Sequence, residues 1–256
     1  MTKLRAAGCV FAEDEARLLV EAARTPADLA AMVDRRAAGT PLEHVLGWAQ
    51  FCGLRIVIEP GVFVPRRRTE FLVEQAAAVA RSTTAAGRPT VVVDLCCGCG
   101  AVGAALFAAL GQLELHAVDI DPAAVHCARR NLAATDATVY EGDLYHPLPE
   151  TLHDRIDVLV ANAPYVPTEA IGMMPPEARL HEPRVALDGG RDGLDVLRRV
   201  VAAAPQWLAP GGHLLVETGR LQAPQLLDDA VQVGLLPWVA SLDELNATVV
   251  IANRPR

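Results

Sequence analysis

Residues Val91-Val92-Val93-Asp94-Leu95-Cys96-Cys97-Gly98-Cys99-Gly100-Ala101-Val102-Gly103 carry an apolar run straight into a glycine-rich turn and a helix. Few folds accommodate that order. An apolar run without alternation reads as a strand buried on both faces, which requires a parallel sheet covered by helices. The glycines let a ligand approach the backbone and expose N–H groups at a helix start. Nicotinamide and flavin enzymes use the same device, so the loop alone names no ligand.

The rest of the chain supports the same architecture. Apolar strands are predicted at 90–95, 114–120, 138–140, 157–161, 212–217 and 248–252, with helices between them at 102–110, 122–133 and 194–207. Strand–helix alternation of this kind gives an open, mostly parallel α/β sheet with helices on both faces. Upstream, amphipathic helices are predicted at 13–23 and 26–38. Thr25-Pro26 is a start signal for the second, and Gly39 a stop. Residues 48–59 read as a short hairpin, 71–81 as a helix and 82–89 as a loop. The organisation expected is a helical domain (1–47), a β-hairpin linker (48–64) and an α/β domain (65–256).

Acids narrow the ligand. Asp119 closes the second strand of the sheet, where a carboxylate can take both hydroxyls of a ribose. Asp143 follows the third, and Asp94 sits ahead of the glycines. A carboxylate there would repel a pyrophosphate, whereas the ammonium and sulfonium of S-adenosylmethionine would favour it. The plain alternative makes Asp94 a brace for the loop.

After the fourth strand comes Asn162-Ala163-Pro164-Tyr165, at the carboxyl edge where α/β sheets bind ligands. An amide nitrogen is a poor nucleophile because its lone pair is delocalised. Its two N–H groups need acceptors that turn the lone pair toward an electrophile. The Asn162 side-chain oxygen and the Ala163 carbonyl can supply them, and Tyr165 can wall a planar group. A simple Asx/Pro turn is the competing reading.

Composition excludes several classes. The chain of 256 residues has a net charge of −8, which opposes a polyanion at long range, so no stable nucleic-acid partner is expected. The only basic run is Arg66-Arg67-Arg68, short enough to read as a solvated face, with Arg67 and Arg68 facing either an acid or water. No apolar stretch reaches the ~18 residues of a membrane helix, and the first residues lack a signal-peptide core, so a cytoplasmic location is expected. The six cysteines show no zinc spacing, so no metal is expected; they read as small buried thiols. The seven scattered histidines read as surface or satisfied core residues, and Trp48, Trp207 and Trp238 as packing residues.

The sequence resembles the HemK/PrmC family of protein-(glutamine-N5) methyltransferases over nearly its whole length. The resemblance is carried by Pro41-Leu42-Glu43-His44-Val45-Leu46-Gly47, by Phe51 through Pro65-Arg66 and Thr69-Glu70, and by Asp94-Leu95-Cys96 with Gly98-Cys99-Gly100. Asp119, Asn162-Ala163-Pro164-Tyr165, His181-Glu182-Pro183-Arg184, Gly189-Gly190-Arg191-Asp192-Gly193 and Leu208-Ala209-Pro210-Gly211-Gly212 complete it. It implies a seven-stranded class I (Rossmann-like) methyltransferase sheet behind a small helical domain. It assigns the helical domain to recognition of the protein substrate, and it implies S-adenosylmethionine contacts from Cys96, Cys97, Gly98, Cys99, Gly100, Asp119, Leu144 and Asn162. The reading of the acids adds Asp94 and Asp143 to that cofactor set. The loop Asn162 to Tyr165 would hold a substrate glutamine and carry the catalysis, with Arg66 and Glu182 beside it. Glu182 could orient that loop, accept a proton or simply brace it.

Three departures are visible. Ala163 replaces a proline, Arg67 and Arg68 stand where the family often has proline and an acid, and the segment before Pro41 is shorter than in typical members. The protein substrate is therefore open between a release factor and another protein modified by a PrmC-related paralogue. Three other readings stay open: a methyltransferase for an exocyclic amine of DNA or RNA, a nicotinamide-dependent oxidoreductase, and a non-catalytic cofactor binder.

Overall fold

The computed structural model describes residues 1–83 and 88–256. Four helices come first: α1 (Thr2–Ala6), α2 (Ala12–Ala22), α3 (Pro26–Ala37) and α4 (Leu42–Leu46). They enclose a small core of Leu4, Ala12, Leu19, Met32 and Val45. The start of α3 follows from its cap: the Thr25 hydroxyl accepts the Asp28 N–H at 3.1 Å, with Pro26 in the first helical turn. Strands β1 (Trp48–Phe51) and β2 (Leu54–Val57) form the expected antiparallel hairpin. Its two turn residues, Cys52 and Gly53, both have positive φ (48° and 77°), as a tight primed turn requires. The hairpin is more than a connector. Its buried residues Ala49, Phe51 and Ile56 join the core under the main sheet.

The remaining elements alternate: α5 (Glu70–Thr83), β3 (Thr90–Leu95), α6 (Ala101–Leu110), β4 (Leu113–Asp119), α7 (Pro122–Asn131), β5 (Thr138–Glu141) and β6 (Ile156–Ala161). Then come α8 (Pro176–His181), α9 (Asp195–Trp207), β7 (Leu208–Glu217), α10 (Ala223–Gln232), β8 (Leu236–Leu242) and β9 (Ala247–Asn253). The seven-stranded sheet has the order β5-β4-β3-β6-β7-β9-β8. Its first five strands are parallel, and β9 runs antiparallel to both neighbours.

Strand alternation sorts the core into two layers. Val92, Val158, Val160 and Leu215 face a cluster that includes residues of α5, α6 and α7. Val91, Val93, Leu159 and Leu214 face one built with α9 and α10. The sheet is thus covered by helices on both faces, as expected. The order reverses direction at β3, between β4 and β6, and the carboxyl ends of strands at such a switch point form the usual ligand crevice.

Several expectations need correction. The strand β8 and the helices α1, α4, α8 and α10 were not anticipated. Ser82 and Thr83 continue α5 rather than opening a loop, and 84–87 of that expected loop lie outside the described residues. Trp238 is not a packing residue. It is 42% exposed on β8, which has a neighbour on one side only, and it meets His213 edge-on. No helix among the described residues is long and apolar enough to cross a membrane.

Candidate active site

The carboxyl ends of β3, β4 and β6 open onto a cavity of about 280 Å³. The turn after β3 folds back on itself through an unusual set of bonds. Cys96, Gly98 and Gly100 all have positive φ, which two of the three meet at no cost by being glycine. A side chain at Gly100 would also press on Ala128 and Leu132 of the neighbouring helix at 3.2–3.3 Å. The loop N–H groups are largely consumed within the protein. Cys97 donates to the Val118 carbonyl at 3.0 Å, Gly98 to Asp119 Oδ2 at 2.8 Å and Gly103 to Asp94 Oδ2 at 3.1 Å. The expectation that the glycine turn offers its N–H groups to a ligand is therefore corrected at these positions. Asp119 and Asp94 take those of Gly98 and Gly103, and a neighbouring strand carbonyl takes that of Cys97.

Asp94 is 2% exposed behind the turn, and burial pushes its carboxyl up to about 7 despite the Gly103 bond. Asp119 reaches the cavity and also accepts the Asp121 N–H at 2.9 Å. Burial raises its carboxyl above the ordinary range. Asp143 lines the cavity too and is paired with Arg199 at 2.6 Å. Leu144, buried with φ +50°, closes the floor beside Gly142. One further residue ties this end to the hairpin. Asn131 donates to the carbonyls of Val57 and Cys99 at 2.9 and 2.8 Å and accepts the Val57 N–H at 2.8 Å.

The opposite wall is the loop after β6. Asn162 donates from Nδ2 to the Thr69 hydroxyl at 3.3 Å, while its Oδ1 has no protein partner among the described residues. The Ala163 carbonyl is likewise without one. Tyr165 is clamped at both ends: its hydroxyl donates to Glu217 Oε1 at 3.0 Å, and its carbonyl accepts from Gln222 Nε2 at 2.9 Å. Burial beside Glu217 pushes the phenol pKa up, so the hydroxyl keeps its proton. Gln222 also holds the Asp192 carbonyl at 2.9 Å, joining the glycine-rich segment 189–193 to this loop.

Arg66, Arg68 and Phe63 line the cavity above the loop, with Met174, Pro183 and Val185 across from them. Both oxygens of Glu182 accept from Arg66 at 2.6 Å, and Oε1 also accepts the Val64 N–H at 3.3 Å. The Glu182 side chain is 1% exposed, so it braces Arg66 from behind. Of the basic run, Arg68 faces an acid, Glu217, at 3.1 Å, and Arg67 is exposed.

The structure therefore brings Cys96, Gly98, Asp119, Asp143, Leu144, Asn162, Ala163, Pro164, Tyr165 and Arg66 around one cavity. Asp94, Cys97, Cys99, Gly100 and Glu182 stand outside its lining. Sequence reasoning gave no role to Thr69, Glu217, Gln222 or Asn131. The partners described above lie 30 to 149 positions away, and no local pattern marks such contacts. The donor set suits a particular ligand. Asp119, Asp121 and Asp143 all line the cavity, Arg199 beside them is already paired with Asp143, and the Cys97 and Gly98 amides are occupied. Such a site favours a cationic, phosphate-free molecule.

Comparison with known proteins names the family. The release factor glutamine methyltransferase of Geobacter sulfurreducens is 39% identical over 234 residues, covering 90% of this chain and 79% of the relative. The chain belongs to the release factor glutamine methyltransferase family. It is a methyltransferase, and the methyltransferase small domain family matches residues 53–178. The chain is also similar to the 4-amino-L-phenylalanine/4-methylamino-L-phenylalanine methyltransferase of Streptomyces pristinaespiralis. That protein is 37% identical over 195 residues, 74% of this chain and 65% of the relative. A methyltransferase from Pyrococcus furiosus shares the fold at 14% identity and TM-score 0.58, over 87% of this chain and 98% of that one.

Proposed function

We propose that the chain moves the methyl group of S-adenosylmethionine to the side-chain amide nitrogen (N5) of a glutamine in a release factor, leaving S-adenosylhomocysteine. The observation that carries this reading is Asn162. Thr69 occupies its amide group, and its oxygen is left for a donor in the cavity. Membership in a family whose relatives are named release factor glutamine methyltransferases supports the release factor as substrate.

The residues present fit such a cofactor. The carboxylates Asp119 and Asp143 would receive its polar groups, and Leu144 and Cys96 would pack against its apolar face. When bound, the cofactor supplies an electrophilic methyl group. The chain's own contribution is orientation. Asn162 Oδ1 and the Ala163 carbonyl accept the two amide N–H groups, turning the nitrogen lone pair toward the methyl position. Tyr165 walls the planar amide and keeps water out. Once nitrogen carries the methyl it is strongly acidic and loses its proton to water, so no buried base is required. Ala163 in place of proline removes no acceptor, and Pro164 still biases Ala163 to an extended backbone.

The test is methyl transfer from labelled S-adenosylmethionine to three acceptors: a purified bacterial release factor, 4-amino-L-phenylalanine and DNA or RNA. Label on a release-factor glutamine, located by peptide mass spectrometry, supports the reading. Label only on the aromatic amine or the nucleic acid replaces it.

A further inference from the structure

Three arginines line the cavity, and each is matched to one acid: Arg66 to Glu182, Arg199 to Asp143 and Arg68 to Glu217. The third pair differs from the others. Glu217 closes β7, is 2% exposed and does not itself reach the cavity. One oxygen does double work there, accepting the Tyr165 hydroxyl at 3.0 Å and Arg68 Nε at 3.1 Å. Its other oxygen, Oε2, is buried with no partner among the described residues. The Arg68 guanidinium lies 5.6 Å from the centre of the Tyr165 ring.

We propose that Glu217 is the positioning residue of the amide-holding loop, acting on the substrate through Tyr165 and Arg68. The proposal rests on the reading that Tyr165 walls the glutamine amide. A buried carboxylate with an unsatisfied oxygen is costly to keep, and a site retains such a group when it fixes something else. Two things are fixed here. A phenol tied at its far end cannot swing, so the ring presents one face at one angle to the cavity. Arg68, its charge balanced, cannot set a bare cation beside a cationic methyl donor. A neutral acceptor such as glutamine would hold the phenol but leave that cation uncompensated.

The experiment compares Glu217→Ala, Glu217→Gln and Tyr165→Phe, alone and combined, using the release-factor acceptor and full-length protein. Glu217→Ala is expected to lower kcat by about tenfold or more while the acceptor KM moves less than about threefold, the signature of lost transition-state alignment. Most of that loss should vanish when Glu217→Ala is made in the Tyr165→Phe background, because the two act as a unit. Glu217→Gln, nearly the same shape, should recover part of kcat, and adding Arg68→Met should recover more. Melting temperatures identify any variant that has lost its fold; Glu217→Gln then carries the comparison. Fully additive losses overturn the proposal. So does a kcat within about twofold of the parent in Glu217→Ala while Asn162→Ala still abolishes transfer. Full activity in Asn162→Ala would instead overturn the glutamine reading itself.

Discussion

Arg36 of α3 donates to Glu177 of α8 at 2.5 Å, across 141 positions of sequence. The same guanidinium holds Glu15 of α2 through two bonds at 2.6 and 3.0 Å. The first helices are therefore fastened to the segment that contributes Met174, Pro183 and Val185 to the cavity wall. Arg36 and Glu15 are both under 10% exposed, whereas the Glu177 side chain is 46% exposed. The two halves of the clamp should thus differ in worth.

Arg36→Met leaves Glu15 buried without its partner and should cost about 3–5 kcal/mol. Glu177→Ala removes an exposed carboxylate and should cost less than about 1 kcal/mol. Denaturant titration measures both. Hydrogen exchange in Glu177→Ala should nonetheless quicken in 168–187, because that segment loses its tether to α3.

Asn162→Ala should lower kcat by about a hundredfold or more while cofactor affinity falls less, since an acceptor aligned with the reacting nitrogen acts in the transition state. Single-turnover methylation and calorimetric cofactor titration separate the two effects. Normal turnover would remove the loop from the chemistry.

Asp119→Ala should weaken cofactor binding about tenfold or more, roughly 1.4 kcal/mol per decade. It removes a carboxylate facing the cavity and strands the N–H groups of Gly98 and Asp121. Calorimetry on the variant checks this. An unchanged affinity excludes Asp119 from the cofactor site.

The Asp94 carboxyl should make stability depend on pH. Burial holds it up to about 7, so the folded protein keeps a proton that the unfolded chain releases. Stability is therefore drawn down as pH rises from the ordinary carboxylate range through about 7. The penalty is absent below that range and complete above it. Asp94→Asn can still accept from Gly103 and carries no such penalty. The variant's gain over the parent, read from denaturant midpoints, should grow between about pH 4 and 7 and then level off. A gain that does not change with pH would show that Asp94 is not held protonated.

The parts of the molecule written in the sequence are those whose cause is local. Thr25-Pro26 announces α3 because a hydroxyl three positions from an N–H is a cap wherever it occurs. The strand 90–95 is legible because burial on both faces leaves mostly apolar types, with Thr90 at its start and Asp94 near its end as the polar residues. β8 was not legible for the opposite reason. It is an edge strand with no fully buried residue, Trp238 and Val239 are exposed in succession so no period of two survives, and Pro237 interrupts it further. The site divides in the same way. Asn162 to Tyr165 could be read from consecutive residues, whereas Thr69 beneath Asn162 and Glu217 behind Tyr165 could not. Those contacts span 93 and 52 positions and exist only once the sheet brings β6, β7 and the start of α5 together.

The insertion of β9 between β7 and β8 has a consequence for synthesis on the ribosome. β8 is made before β9 yet pairs with no other strand. A nascent chain that has reached Leu242 holds β8 with no ladder to join, and Leu236, Trp238 and Val239 are exposed even in the finished fold. The one ladder partner of β8 arrives only from further along the chain. During that wait, an unpaired apolar strand is what chaperones bind and neighbouring chains capture.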